Sequence, residues 1–141
     1  MTTEANSKTP ILTVEKIMAF EIHCISPEMT VREAILKLLK NRVHGAPVID
    51  SQKKVMSVVS QGDLLKLAAT MGLDRTIFQC MTKLTKTEAL ITVKKKDSYT
   101  DAYKKFLSHS VHRLIVVDDH GRLEGMLSRS NILEVIATPI K

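Results

Sequence analysis

The sequence predicts a mixed α/β (α+β) fold of two tandem βαββα units packed sheet to sheet, and three observations support it. The chain repeats itself: residues 30–65 lie over residues 98–133 at an offset of 68, without a gap. Each copy runs through the same order of helix-like and strand-like hydrophobic periods. The composition is 44% hydrophobic, 4% aromatic and free of Trp, which supplies a core of Ile, Val, Leu, Met and Ala and excludes a disordered chain.

The repeat is visible as identical pairs: Ala34/Ala102, Lys37/Lys105, Leu39/Leu107, Val43/Val111, His44/His112, Val48/Val116, Asp50/Asp118, Ser60/Ser128 and Leu65/Leu133. Each copy opens with a helix start. Thr30 is an N-cap with Glu33 three residues on, and Ser98 is followed in the same way by Asp101. Apolar residues then recur at helical spacing, at Val31, Ala34, Ile35, Leu38 and Leu39, and at Tyr99, Ala102, Tyr103, Phe106 and Leu107. Gly45 and Pro47 end helical continuation in the first copy. Strands are predicted over Val48 to Asp50 and Leu114 to Asp118, then polar turns, then strands over Val55 to Ser60 and Leu123 to Ser128. A second helix follows each serine. Upstream, Val14 to Met18 and Ile77 to Met81 read as short helices, and Cys24-Ile25 and Leu90 to Val93 as short edge strands. The organisation expected is a flexible tail over 1–10, a first unit over 11–72 and a second over 73–141. A unit of this size is marginal alone, so the two are expected to share a core.

No run approaches the roughly 18 apolar residues of a membrane span, and Met1 to Thr9 lacks the apolar stretch of a signal peptide, so a cytoplasmic protein is expected. Cys24 and Cys80 are lone thiols that read as small packed hydrophobes. The net charge of +6 favours anionic partners without naming one. His44 and His112 fall at equivalent places, read as shared ancestry and packing. No His, Cys or Asp cluster has metal-ligand spacing, so no metal is expected.

These motifs together resemble the CBS domain, named for cystathionine β-synthase, in its tandem form, the Bateman module. The resemblance runs from about Val14 to Ile136. Val14-Glu15-Lys16-Ile17-Met18 and Phe78-Gln79-Cys80-Met81 look like its opening segment. Residues 25–34 are similar to its strand–Pro–helix passage. His44 to Asp50 and His112 to Asp118 look like its central strand. The closing motif, Gly, two apolar residues, Ser or Thr, two residues and Asp, is matched by Val58 to Asp63 and by Gly125 to Asn131. There are departures: Ser57 stands where the first copy should have Gly, Asn131 where the second should have Asp, and Ile115 where the first has Pro47. The resemblance implies pseudo-two-fold packing of the units, a flat homodimer, and up to two clefts for an adenosine compound.

The residue types suit such a ligand. In the first cleft, Ser60 stands at a helix start where free N–H groups favour an anion, and Asp63 can accept from two ribose hydroxyls. Gly45, Ala46 and Pro47 let a flat base approach, and Ile25 and its neighbours would give it apolar contact. The second cleft is assigned Val93, Arg113, Leu114, Ile115, Ser128, Arg129 and Asn131. The plainer reading of Ser-x-x-Asp is a capping box, and of Arg113, Arg129 and Lys94 to Lys96 a solvated charged surface. The leading expectation is a stand-alone regulatory module, an energy sensor, that binds AMP, ADP, ATP or S-adenosylmethionine as ligand rather than cofactor, forms a homodimer, and controls a separate partner protein. Without a nucleophile–base pair, metal site or P-loop, no enzyme activity is expected. The alternatives are a small basic nucleic-acid-binding protein, opposed by dispersed charge and few aromatics, and a structural dimerisation module without ligand.

Overall fold

The computed structural model describes residues 12–84 and 90–138; the tail expected over 1–10 lies outside them. In chain order the elements are α1 (Val14–Ile17), α2 (Val31–Asn41), β1 (Gly45–Ile49), β2 (Val55–Ser60), α3 (Gln61–Thr70), α4 (Ile77–Cys80), a 3-10 turn (Met81–Lys83), β3 (Thr92–Val93), α5 (Tyr99–Ser108), β4 (Arg113–Val117), β5 (Leu123–Ser128) and α6 (Arg129–Ala137). The capping box opens α2 as read: the Glu33 N–H donates to Thr30 Oγ1 at 3.1 Å, and the Thr30 N–H donates to Glu33 Oε1 at 2.9 Å.

Each half has one sheet. β1 pairs antiparallel with β2, and Ile25 adds a single parallel bridge to Val48. β4 pairs antiparallel with β5 and parallel with β3. The central strands begin earlier than the sequence suggested, at Gly45 and Arg113, and Pro47 lies inside one. A strand proline is tolerated where its missing N–H has no ladder partner to lose. Beside Pro47 the edge segment contributes only Ile25. The equivalent Ile115 keeps its N–H and donates it to Ile91 O at 3.0 Å, beside the longer edge strand β3. The change from Pro47 to Ile115 therefore matches the length of the edge it faces.

Side chains alternate across each sheet. Ala46 and Val48 face one core, with Ile25, Val31, Ala34, Leu38, Leu64 and Leu67. Leu114 and Val116 face a second, with Val93, Ala102, Leu127 and Ile132. The opposite faces meet in a seam formed by Ile49, Val55 and Val58 against Ile115, Val117, Leu123 and Met126. The opening helices are exchanged. Val14 of α1 and Met18 just after it belong to the second core, and Ile77 and Cys80 of α4 to the first. The α1 end is held by Val14 N–H to Asp97 O at 2.8 Å and by reciprocal bonds between Ala19 and Met126 at 2.9 and 3.1 Å.

Lys54 and Arg122, equivalent in the repeat, form an antiparallel bridge with one another. The Val55 N–H donates to Gly121 O at 3.1 Å, and the Leu123 N–H donates to Lys53 O at 2.9 Å. Each donor and acceptor is the repeat counterpart of the other bond's, as a two-fold axis through the bridge requires. The turns are built alike: Asp50 Oδ1 accepts from the N–H groups of Gln52 and Lys54 at 2.8 and 3.0 Å, and Asp118 Oδ1 from those of His120 and Arg122 at 2.8 and 2.9 Å. The Arg122 N–H, with that of His120, holds the Asp118 carboxyl below its ordinary range. His44 and His112 are exposed, so packing does not explain their repetition.

Candidate ligand-binding clefts

The two serine motifs end β2 and β5 and start α3 and α6. Ser60 Oγ accepts the Asp63 N–H at 3.1 Å, while Asp63 Oδ2 accepts from the Ser60 N–H at 2.9 Å and the Ser60 hydroxyl at 3.0 Å. In the second half Ser128 Oγ accepts the Asn131 N–H at 3.3 Å, and Asn131 Oδ1 accepts from the Ser128 N–H at 2.8 Å and its hydroxyl at 3.0 Å. Both motifs are thus reciprocal capping boxes, and each serine proton points at its own box partner rather than into solvent. Asp63 is buried, at 8% exposure, and its N3 position keeps the carboxylate against the positive end of α3.

A cavity of about 240 Å³ opens beside the second motif. Its walls come from both halves. Arg113, Met126, Ser128 and Asn131 form one side, Val43 and Gly45 another, and the strap between α1 and Ile25 contributes Ala19, Glu21, Ile22 and His23. The volume lies below the ~300–1,000 Å³ usual for small-molecule sites. Arg113 and Ser128 are directly opposed across β4 and β5, so their side chains share one face. Gly45 is the repeat counterpart of Arg113, and its bare Cα lies tight against the backbone of β2 and within contact range of the arginine. A Cβ there would stand 3.0 Å from Val59 O and 3.7 Å from Arg113 Nη1.

The structure brings together Gly45, Arg113, Ser128 and Asn131, which the sequence had divided between two sites. Ser60 is paired with Gly45 across β1 and β2 at the corresponding end of the first sheet. Ile25, Ala46, Val93 and Leu114 are core residues, Ile115 packs in the seam, and Pro47 is buried, so these six reach a ligand only through backbone or a small exposed edge. Arg129 is elsewhere. Its Nε donates to Val111 O at 3.0 Å, as its counterpart Gln61 donates Nε2 to Val43 O at 3.2 Å. It borders an outer groove of about 270 Å³ with Tyr103, Phe106, Leu107, Ile132, Leu133 and Ile136. Lys94 and Lys95 are engaged in surface pairs with Asp119 at 3.0 Å and Glu124 at 3.5 Å.

Sequence reasoning missed Glu21, Ile22 and His23 as individual wall residues. The strap has no periodic pattern, and only its position just before Ile25 marked it. Among the described residues no cluster of His, Cys, Asp and Glu could hold a metal ion, and no helix is long and apolar enough to cross a membrane. Burial pushes the Cys24 and Cys80 thiols up, which makes both poor nucleophiles.

The CBS domain family model matches residues 14–70 and again 77–138. The chain belongs to the CBS-domain family. Its two matches make it a tandem pair, as the repeat indicated. The CBS domain-containing protein CBSX1, chloroplastic, of Arabidopsis thaliana is 31% identical over 94% of this chain and 67% of its own length. A solved structure of CBSX2 in complex with AMP superimposes with a TM-score of 0.73 at 29% identity, covering 89% of this chain and 96% of that one. The CBS domain pair of MJ0100, solved with 5-methylthioadenosine and S-adenosyl-L-methionine, shares the fold at 21% identity, with a TM-score of 0.74 over 90% of this chain and 97% of that one.

Proposed function

We propose that this chain is a regulatory module that binds an adenine nucleotide between its two CBS units and passes occupancy to a partner protein. The observation that supports it most is the composition of the cavity wall. A guanidinium (Arg113), a capped helix start (Ser128, Asn131) and a glycine backbone (Gly45) from opposite halves converge on one cavity. Arg113 and the Asn131 amide offer donors to a phosphate, and the glycine backbone lets a flat base approach. The AMP complex of CBSX2, a CBS pair with the same fold, points the same way. The first cleft is assigned Ser60, Asp63, Gly45 and the neighbouring backbone of Ile25, Ala46 and Pro47. The second is assigned Arg113, Ser128 and Asn131, with the backbone of Val93, Leu114 and Ile115; Arg129 is left to the outer face.

Because the cavity is walled by both halves, a ligand there ties them together, and a change in their mutual setting is the signal a partner reads. The reading is non-catalytic, with ligand exchange rather than turnover as the output. The outer groove supports a homodimer: Leu107, Leu133 and Ile136 are 74%, 61% and 49% exposed there, an apolar patch that a second copy would cover. The test is thermal unfolding with AMP, ADP, ATP, S-adenosylmethionine and a non-adenine control. A ligand at about 100 times its Kd adds about 2.7 kcal/mol to the folded state. A rise of several degrees with an adenosine ligand, lost in Asp63→Ala or Arg113→Gln, supports the reading; no rise with any of them contradicts it.

A further inference from the structure

We propose that the cleft of the second unit selects adenosine ligands that carry an anionic group over neutral or cationic ones, because Asn131 presents an amide donor where the first unit presents a carboxylate. The inference rests on the nucleotide-binding reading and concerns which ligand class this cleft takes.

The capping box fixes the orientation of the Asn131 amide. The Ser128 N–H and hydroxyl both donate to one atom of that side chain, at 2.8 and 3.0 Å. An amide nitrogen cannot accept either bond, so that atom is Oδ1 and the remaining terminal atom is the Nδ2 donor. Asn131 lines the cavity, so Nδ2 is the terminal polar atom it has left to offer a ligand. At the equivalent place Asp63 is a carboxylate, whose oxygens only accept. One substitution therefore reverses hydrogen-bond polarity and removes a negative charge at the same point of two equivalently bonded boxes.

A second difference acts in the same direction. Where the first half has Gly45, the second has Arg113, opposite Ser128 on the cavity face. A guanidinium beside an amide donor favours an oxyanion and opposes a sulfonium or ammonium. The opposing charge is Glu21, on the strap across the cavity, with His23 next to it. Glu21 sits on the connection between α1 and Ile25, and its single carboxylate opposes the guanidinium and the amide donor together, so it weakens anion binding without reversing it. The cleft reads charge first; a ribose hydroxyl remains acceptable, since it can accept from Nδ2.

The experiment is a titration of the wild-type chain followed by the backbone amide resonances of Arg113, Ser128 and Asn131 in this cleft and of Ser60 and Asp63 in the other, with AMP, adenosine and S-adenosylmethionine as probes. AMP is expected to bind this cleft about tenfold more tightly than adenosine, and S-adenosylmethionine more weakly than adenosine. Arg113→Gln should bring AMP to within about threefold of adenosine. Asn131→Asp, which keeps the box as Asp63 does, should weaken AMP and narrow its preference over adenosine, and Glu21→Gln should tighten AMP. Equal binding of AMP and adenosine by the wild type, or tighter AMP binding by Asn131→Asp, overturns the proposal while leaving nucleotide binding intact. If no adenosine compound moves a resonance of either cleft, the nucleotide-binding reading itself fails, and this proposal with it.

Discussion

The two halves of this molecule share a backbone plan and differ in what they place at its equivalent points. Both have a capped helix after the last strand, an Asp-centred turn, and a glutamine or arginine that ties the helix start to the preceding loop. They differ at Asp63 and Asn131, Gly45 and Arg113, Pro47 and Ile115, and Ser57 and Gly125. The shared features are backbone hydrogen-bond devices, which one fold needs twice. The differences follow from what lies beside each point, either the neighbouring chain or the cavity.

Gly125 illustrates the first case. A Cβ there would lie 2.6 Å from Met18 Sδ and 2.8 Å from Ala19 O, because the end of α1 pairs with β5. Ser57 is half-buried on β2, and among the described residues no bridge from the α4 side is laid across it. The glycine is required by a close approach of backbone in one half, and the other half is relieved of it.

The largest effect that tests the comparison is at the exchanged helices. Ile77→Ala is expected to cost about 2–5 kcal/mol, since the side chain is fully buried. Hydrogen exchange should speed up in α2 and α3 rather than in α5 and α6, because Ile77 packs in the first core although it opens the second repeat. Faster exchange confined to α5 and α6 would contradict the exchange. Gly125→Ala should cost about 1–3 kcal/mol by overpacking, against less than about 0.5 kcal/mol for Ser57→Ala, measured by denaturant unfolding. Equal costs would remove the explanation for the departure at Ser57. The smallest effect is at the turns. Lys53 has φ of 68° and its counterpart Gly121 has φ of 79°. Lys53→Gly should stabilise the chain by roughly 1 kcal/mol, by relieving left-handed strain in a residue with a Cβ. No change in the unfolding midpoint would show that the Asp50 turn already offsets that strain.

Much of the fold was legible because its signals are local. The 68-residue offset, the capping boxes and the alternation from helical to strand period each need only a short window of sequence. What was not legible is what depends on distant partners. α1 and α4 are four residues each, and a short apolar helix matches either core equally well, so their exchange left no mark in the sequence. The same limit applies to the cavity. Gly45 and Arg113 were each singled out, but as members of separate sites, because a repeat read one copy at a time does not show that the counterpart residues meet. The sequence assigns Arg129 to the second cleft with Arg113, yet its side chain turns to Val111 O. In the sequence Pro47 marks the end of helical structure and predicts a strand only after it. The single bridge at Ile25, a long-range feature, is what allows a proline inside β1.

The most direct test of the account is a calorimetric titration of AMP into the wild-type chain and into the Asp63→Ala/Asn131→Ala double variant, with the unfolding midpoint of each checked first. Saturable heat with the wild type, and its loss in a folded double variant, is the result expected for nucleotide binding at the two capped helix starts. A wild type that gives no heat, or a double variant that binds AMP as tightly, would contradict it.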